Sequence, residues 1–188
     1  RNERSLHLVC RRDTALYYHA MAKKKQKTVI PEKAASFPRR EIIAVLVIVV
    51  LGLAVYGRCV TYDYVLYDDP NVIFQNPRVL NGPSPANVFW AFTNPNFGLY
   101  HPLPTISYMI DRMFFGDWPG GYHAVTLFWH LLCASTLFIV LFRLFGNYAV
   151  ALVTALLFAV HPVQAMTVNW IVARNEIMIT FFMLLCIE

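Results

Sequence analysis

Charge is scarce in this sequence. Only 14 % of its 188 residues are charged, where an ordinary soluble domain carries about 25 %. So little charge leaves more apolar surface than one small core can take up. Cysteine is thin as well: Cys10, Cys59, Cys133 and Cys186 stand far apart with no CxxC spacing. That argues against a disulfide framework or a zinc site, and two of the four fall inside apolar runs, where a thiol packs as a small hydrophobe. There is no glycine-rich phosphate loop, no Gly-x-Ser-x-Gly and no His-Glu-x-x-His. Nothing therefore points to a soluble hydrolase or a nucleotide enzyme.

What the chain has instead is uncharged length. Residues 42–57, 122–142 and 148–173 contain no charge, and 177–187 begin a fourth run. A spanning helix needs about 20 mostly apolar residues. The second and third runs are long enough. The first reaches that length if Phe37 extends it and Arg39, Arg40 and Arg58 snorkel at its ends. Gly52 and Ala54 offer it close-contact positions against a neighbour. The expected fold is all-α and integral to a membrane: a multi-spanning helical bundle fragment with a long outer loop carrying short interfacial helices.

The positive charge is unevenly placed. Residues 1–58 hold twelve of the sixteen Lys and Arg, whereas 59–121 hold five Asp and two Arg. Basic residues gather on the cytoplasmic side of membranes, so this asymmetry reads as topology and not as a nucleic-acid patch. Residues 1–40 are expected to be a disordered basic cytoplasmic leader. Met21 begins a Lys-rich stretch that looks like a true start, which would make 1–20 upstream sequence. Residues 41–58 then form the first transmembrane helix, 59–121 an outer loop, and 122–188 helices two, three and a truncated four. His161-Pro162 kinks or ends the third. The Lys-rich start and compact turns suggest a bacterial inner membrane, with the loop in the periplasm.

The outer loop is rich in Pro, Asn and aromatics, and long loops of this kind are commonly functional. Its centre is Tyr67-Asp68-Asp69-Pro70. Asp69 before Pro70 matches a helix N-cap, and Asn76-Pro77 ends that helix. Asp68 is then free to face a cleft and serve as a general base; both acids also suit a wet turn. Phe89-Trp90-Ala91-Phe92 forms an aromatic patch. Residues 103–115 read as an amphipathic helix lying flat on the outer leaflet, kept from spanning by Asp111-Arg112. Arg174 suits a phosphate, though snorkelling or a pair with Glu176 would also place it. His161 fits a phosphate contact or the capping of a broken helix end. His101 starts the flat helix with its role open. His123 and His130, seven residues apart on one helix face, read as packing or interhelical hydrogen-bond residues. The topology puts Asp68, Asp69, His101, His161, Arg174 and Glu176 on one side of the membrane.

Several of these segments together resemble a known group. Leu66-Tyr67-Asp68-Asp69-Pro70 with Asn76-Pro77 is similar to the first-loop motif of GT-C class membrane glycosyltransferases. Tyr100-His101-Pro102-Leu103-Pro104 and Gly121-Tyr122-His123 with His130 follow in the same order, although Phe128 stands where Asn is common. Phe158-Ala159-Val160-His161-Pro162 with Trp170-Ile171-Val172-Ala173-Arg174-Asn175-Glu176 resembles a further block, Ala173 replacing the usual Gly. The nearest likeness is to protein O-mannosyltransferase-like proteins with C-terminal tetratricopeptide repeats, of which this chain would be an N-terminal fragment. The resemblance implies transfer of a sugar from a polyprenyl-phosphate carrier to an acceptor hydroxyl on the outer face. It implies Asp68 and Asp69 as catalytic acids, with inversion, and Arg174 and His161 at the lipid phosphate. His101 would stand on the acceptor side. No cofactor or metal is expected beyond the lipid-linked donor. The expected partners are membrane lipid, lipid-linked sugar and an acceptor protein or glycan, with no nucleic acid. A non-catalytic membrane scaffold is the alternative; a transporter segment fits less well, because its ionisable residues should sit near the bilayer midplane.

Overall fold

A computed structural model describes residues 39–187. The expected leader lies outside the described residues except for Arg39 and Arg40, which already belong to the first helix, α1 (Arg39–Tyr56). A 3₁₀ turn, Gly57–Thr61, continues it. One wide turn, Pro70–Phe74, follows, closed by Gln75 N–H to Pro70 C=O at 2.6 Å. Then come α2 (Pro77–Leu80), α3 (Pro85–Thr93), α4 (Pro102–Phe115), α5 (Pro119–Phe145), α6 (Tyr148–Val160), α7 (Gln164–Asn169) and α8 (Arg174–Ile187). Among the described residues there is no strand, only an isolated bridge between Asn96 and Leu99.

Among the described residues two helices are long and apolar enough to cross a membrane, α1 with its 3₁₀ extension and α5. Their surfaces say more than their lengths. α1 buries one narrow stripe, Ala44, Ile48, Gly52 and Tyr56, spaced one helical turn apart. Ile43, Leu46, Val50 and Val55 stay exposed. A water-facing helix would carry polar residues there. Gly52 is a close-contact position as expected, since a Cβ on it would overlap Leu131; Ala54 is not, and lies exposed.

α1 packs on an antiparallel α5–α6 hairpin. The hairpin turns on Gly146, at φ 66°, and on Asn147, whose side chain accepts from Val150 N–H at 3.2 Å. α6 presents Ala151, Ala155 and Ala159 to Ala44, Ile48, Ala134 and Phe138, and such small residues let helices approach closely. α6 stops at Val160 because Pro162 forces His161 into an extended conformation, ψ 133°. The last carbonyls of a helix lack internal partners. Here neighbours satisfy them: His130 Nε2 meets Ala159 C=O at 3.0 Å, and Tyr56 donates to His161 C=O at 2.6 Å. The third helix thus ends at His161-Pro162 as expected, and the rest of the uncharged run to residue 173 holds the short α7 and a turn. The second starts earlier than expected, at Pro119.

The two ends of the bundle differ. At one end Tyr148 donates to Arg40 C=O at 3.0 Å, and the Arg40 guanidinium lies over Phe142 and Tyr148. At the other end Tyr56 meets His161, and residues 59–118 fold into a small cap. Its core of Val72, Ile73, Val79, Ala91, Tyr108 and Met109 reaches Tyr122 and Ile171. α3 is a helix that sequence reading left as loop, capped by Ser84, whose Oγ accepts from Asn87 N–H at 3.2 Å. In α4 the exposed side chains are Leu103, Ile110, Met113 and Phe114, while Asp111 is buried. Asp111, one of the two charges expected to keep this helix from spanning, points into the protein.

Candidate functional site

The acid pair sits where the cap meets the turn between α7 and α8. Asp69 does not cap a helix. Its backbone is already helical, φ −53° and ψ −41°, and its side chain makes no capping bond. It is fully buried instead. One carboxylate oxygen accepts from Val65 N–H at 2.9 Å and the other from Val172 N–H at 3.3 Å. Residues 65 and 172 are thereby held to one side chain. A buried carboxylate needs such donors, and these two close the loop onto the segment that leads into α8. Asp68 is half-buried, its carbonyl accepting from Val72 N–H at 2.9 Å.

Burial raises the Asp69 carboxyl above the ordinary carboxylate value. The Val65 and Val172 amides oppose the rise. Trp170 Nε1 also favours the charged form, although it falls short of a good hydrogen bond. A carboxyl that titrates higher folded than unfolded keeps its proton longer in the folded chain. Its stabilising contribution is complete below the unfolded value, about 3.9, and is lost as pH rises through the folded one. Asp69→Asn should therefore flatten the fall in melting temperature as pH rises above about 4. Detergent-solubilised melts of both forms, followed by circular dichroism, measure this; an unchanged slope would contradict it.

Arg174 is the centre of a second, adjoining cluster. Its Nη1 donates to Asp111 Oδ2 and to Ser107 Oγ, each at 2.5 Å. Nε donates to Thr126 Oγ1 at 3.1 Å, and Nη2 to Tyr122 C=O at 2.8 Å. The Tyr108 ring lies 4.9 Å beneath the guanidinium, and Tyr108 Oη donates to Ile171 and Val172 C=O at 3.3 Å. Both ends of the ion pair are buried. Arg174, expected at a lipid phosphate or in a pair with Glu176, is fully buried; its desolvation is offset by Asp111 and by neutral oxygens, while Glu176 is exposed. Burial raises the Asp111 carboxyl and Arg174 pulls it back.

The remaining candidates lie around this centre. His161 is exposed; its Nδ1 accepts from Val163 N–H at 3.1 Å, so neutral His161 carries its proton on Nε2, as an outward donor. It stands at the start of α7, with Trp170 at the far end, about 9 Å along the axis. His101 precedes α4 without capping it and lines a separate groove of about 600 Å³ with Asn175, Met178, Phe182 and Cys186. His123 Nε2 contacts Asp63 C=O at 3.3 Å, and with the His130 bond to Ala159 both histidines hold elements together. Among the described residues no three His, Cys, Asp or Glu side chains gather as metal ligands would. The structure thus joins Asp69 and Arg174 through Val172 and Tyr108, and leaves His161 and His101 apart. Sequence reasoning missed Asp111, Ser107, Thr126 and Tyr108. The available signal was that 107, 108 and 111 share a face of α4.

A smaller cleft of about 370 Å³ opens between Val65 and Tyr67, which precede the acid pair in the chain, on one wall and Met166, Asn169 and Trp170 on the other.

No protein-family model and no solved structure matches the chain. Among curated proteins, Protein O-mannosyl-transferase TMTC1 of Mus musculus is 34 % identical over 139 residues, 69 % of this chain and 15 % of its own length. Protein O-mannosyl-transferase tmtc2 of Xenopus laevis is 32 % identical over 152 residues, 76 % of this chain and 18 % of its own length. Protein O-mannosyl-transferase F38B6.6 of Caenorhabditis elegans is 27 % identical over 150 residues, 74 % of this chain and 21 % of its own length. The chain thus spans about a fifth or less of the length of these relatives. They are animal proteins, so the bacterial placement expected from the Lys-rich start finds no support. With relatives of this name matching more than two thirds of its residues, the chain belongs to a protein O-mannosyl-transferase-like family.

Proposed function

We propose that this chain forms the first part of a membrane glycosyltransferase that moves a sugar from a polyprenyl-phosphate carrier to an acceptor hydroxyl. By the names of its relatives the sugar is mannose and the acceptor a protein. The observation that carries the reading is Asp68, a half-exposed carboxylate on a loop anchored by the burial of its neighbour. The apolar exposed surfaces of α1 and α4 support placing the bundle in a bilayer with the cap at its surface. The basic residues before and within α1 favour a cytoplasmic position for that end, which in this reading leaves the cap on the non-cytoplasmic side.

In this reading the acceptor oxygen attacks the anomeric carbon and gives its proton to Asp68. The new bond joins that oxygen to the carbon as the bond to the lipid phosphate breaks. The phosphate leaves with the electron pair, and the sugar inverts. A phosphate is a good leaving group, so a strong general acid is not required. The outward Nε2–H of His161 suits a phosphate oxygen. Arg174 serves from inside, by fixing the turn that carries Trp170 and Val172. No metal has a role assigned to it.

The test is a transfer assay on the full-length protein in membranes, with a polyprenyl-phosphate mannose donor and a serine- or threonine-containing peptide. The peptide should gain mannose in the anomeric configuration opposite to the donor's. Retention would overturn the mechanism, and no transfer would leave the chain a scaffold.

A further inference from the structure

We infer that the cleft between Tyr67 and Trp170 seats the sugar ring of the donor; this rests on the glycosyl-transfer reading above. At about 370 Å³ the cleft lies low in the range of small-molecule pockets, about 300–1,000 Å³. That suits one monosaccharide, not an oligosaccharide or a nucleotide. The two aromatic rings stand 6.4 Å apart between centroids and are inclined at 59°. They therefore form a V and do not cover each other's faces. One face of a pyranose carries a patch of slightly positive C–H hydrogens, which an aromatic face, negative at its centre, attracts. Tyr67 is 73 % exposed, a large aromatic surface that a ring in the cleft would cover.

The walls are held in place before any ligand arrives. Tyr67 N–H closes a tight turn onto Val65 C=O at 2.8 Å, and Trp170 is tied at both sides, its N–H to Met166 C=O and its C=O to Ala173 N–H, each at 3.1 Å. Asp69 then clamps one wall to the other through Val65 and Val172. Asp68 directly follows Tyr67 in the chain, one residue from the cleft wall. Buried Asp69 positions, and Asp68 is left for the chemistry. An isoprenoid tail would need a longer trough than this cleft provides.

The chain has four tryptophans, Trp90, Trp118, Trp129 and Trp170, which 5-fluorotryptophan labelling makes separately visible by ¹⁹F NMR in lipid nanodiscs. Trp170→Phe assigns its resonance. Mannose 1-phosphate should move the Trp170 signal; inorganic phosphate and a short isoprenyl phosphate should not. Tyr67→Ala, at an exposed position, should weaken the mannose 1-phosphate response roughly tenfold, the equivalent of about 1.4 kcal/mol. A shift of equal size with isoprenyl phosphate alone, or no Trp170 shift at millimolar sugar phosphate, overturns the proposal. In the full-length transfer assay Tyr67→Ala should raise KM for the donor. Transfer with unchanged KM and kcat would sink the cleft and leave the glycosyl-transfer reading standing. A Trp170 shift in a protein without transfer would do the reverse.

Discussion

Replacing Arg174 by methionine should destabilise the fold by about 3–5 kcal/mol, the cost of leaving one half of a buried ion pair unpaired. Asp111 would keep its burial and lose its counter-charge, while Tyr122 C=O and the Ser107 and Thr126 hydroxyls lose their donor. For a chain of this size that corresponds to a fall in melting temperature of roughly 10 °C. The double variant Arg174→Met with Asp111→Leu should recover much of the loss, because well-packed apolar replacements of buried pairs are commonly neutral or stabilising. Circular-dichroism melts of the three proteins in one detergent decide the matter. An Arg174→Met protein that melts with the wild type would show that the guanidinium is not buried against Asp111. It would also return Arg174 to the list of groups open to a phosphate.

Asp68→Asn should lower the rate of sugar transfer by the full-length protein about 10²- to 10⁴-fold, the range supplied by a positioned general base. Asparagine has the same shape and cannot take the acceptor's proton. Because Asp68 is only half-buried and its side chain has no partner in the Asp69 clamp, melting temperature should stay within about 1–2 °C of wild type, as for a surface substitution. Asp69→Asn should behave differently, disturbing both the fold near Val172 and the transfer rate. A rate loss in Asp68→Asn of less than tenfold would remove Asp68 from the mechanism.

Much of the architecture was legible because long apolar helices announce themselves by composition, and because proline marks helix ends whatever the context. Pro162 terminates α6 where expected, and Asn76-Pro77 separates the wide turn from α2. The acid pair and Arg174 were legible as neighbours, in that topology alone placed them at one end of the bundle. Their individual jobs were not. Asp69 looked like a cap because Pro70 follows it, yet its partners are four residues back and 103 residues ahead, and no local pattern encodes the second. Arg174 looked like a surface cation because its acid lies 63 residues away. In α4 residues 103, 110, 113 and 114 are exposed, in keeping with the expected flat amphipathic helix. What escaped notice there is Asp111, buried against an arginine 63 residues on.

The Asp69 clamp also bears on how the protein is made. Residue 65 leaves the ribosome long before residue 172, and at about 5–20 residues per second the interval is roughly 5–20 seconds. Throughout that time the acidic loop has emerged without the amide that completes its seat. A chaperone or a protease meeting the nascent chain would find this segment open until translation passes the turn before α8.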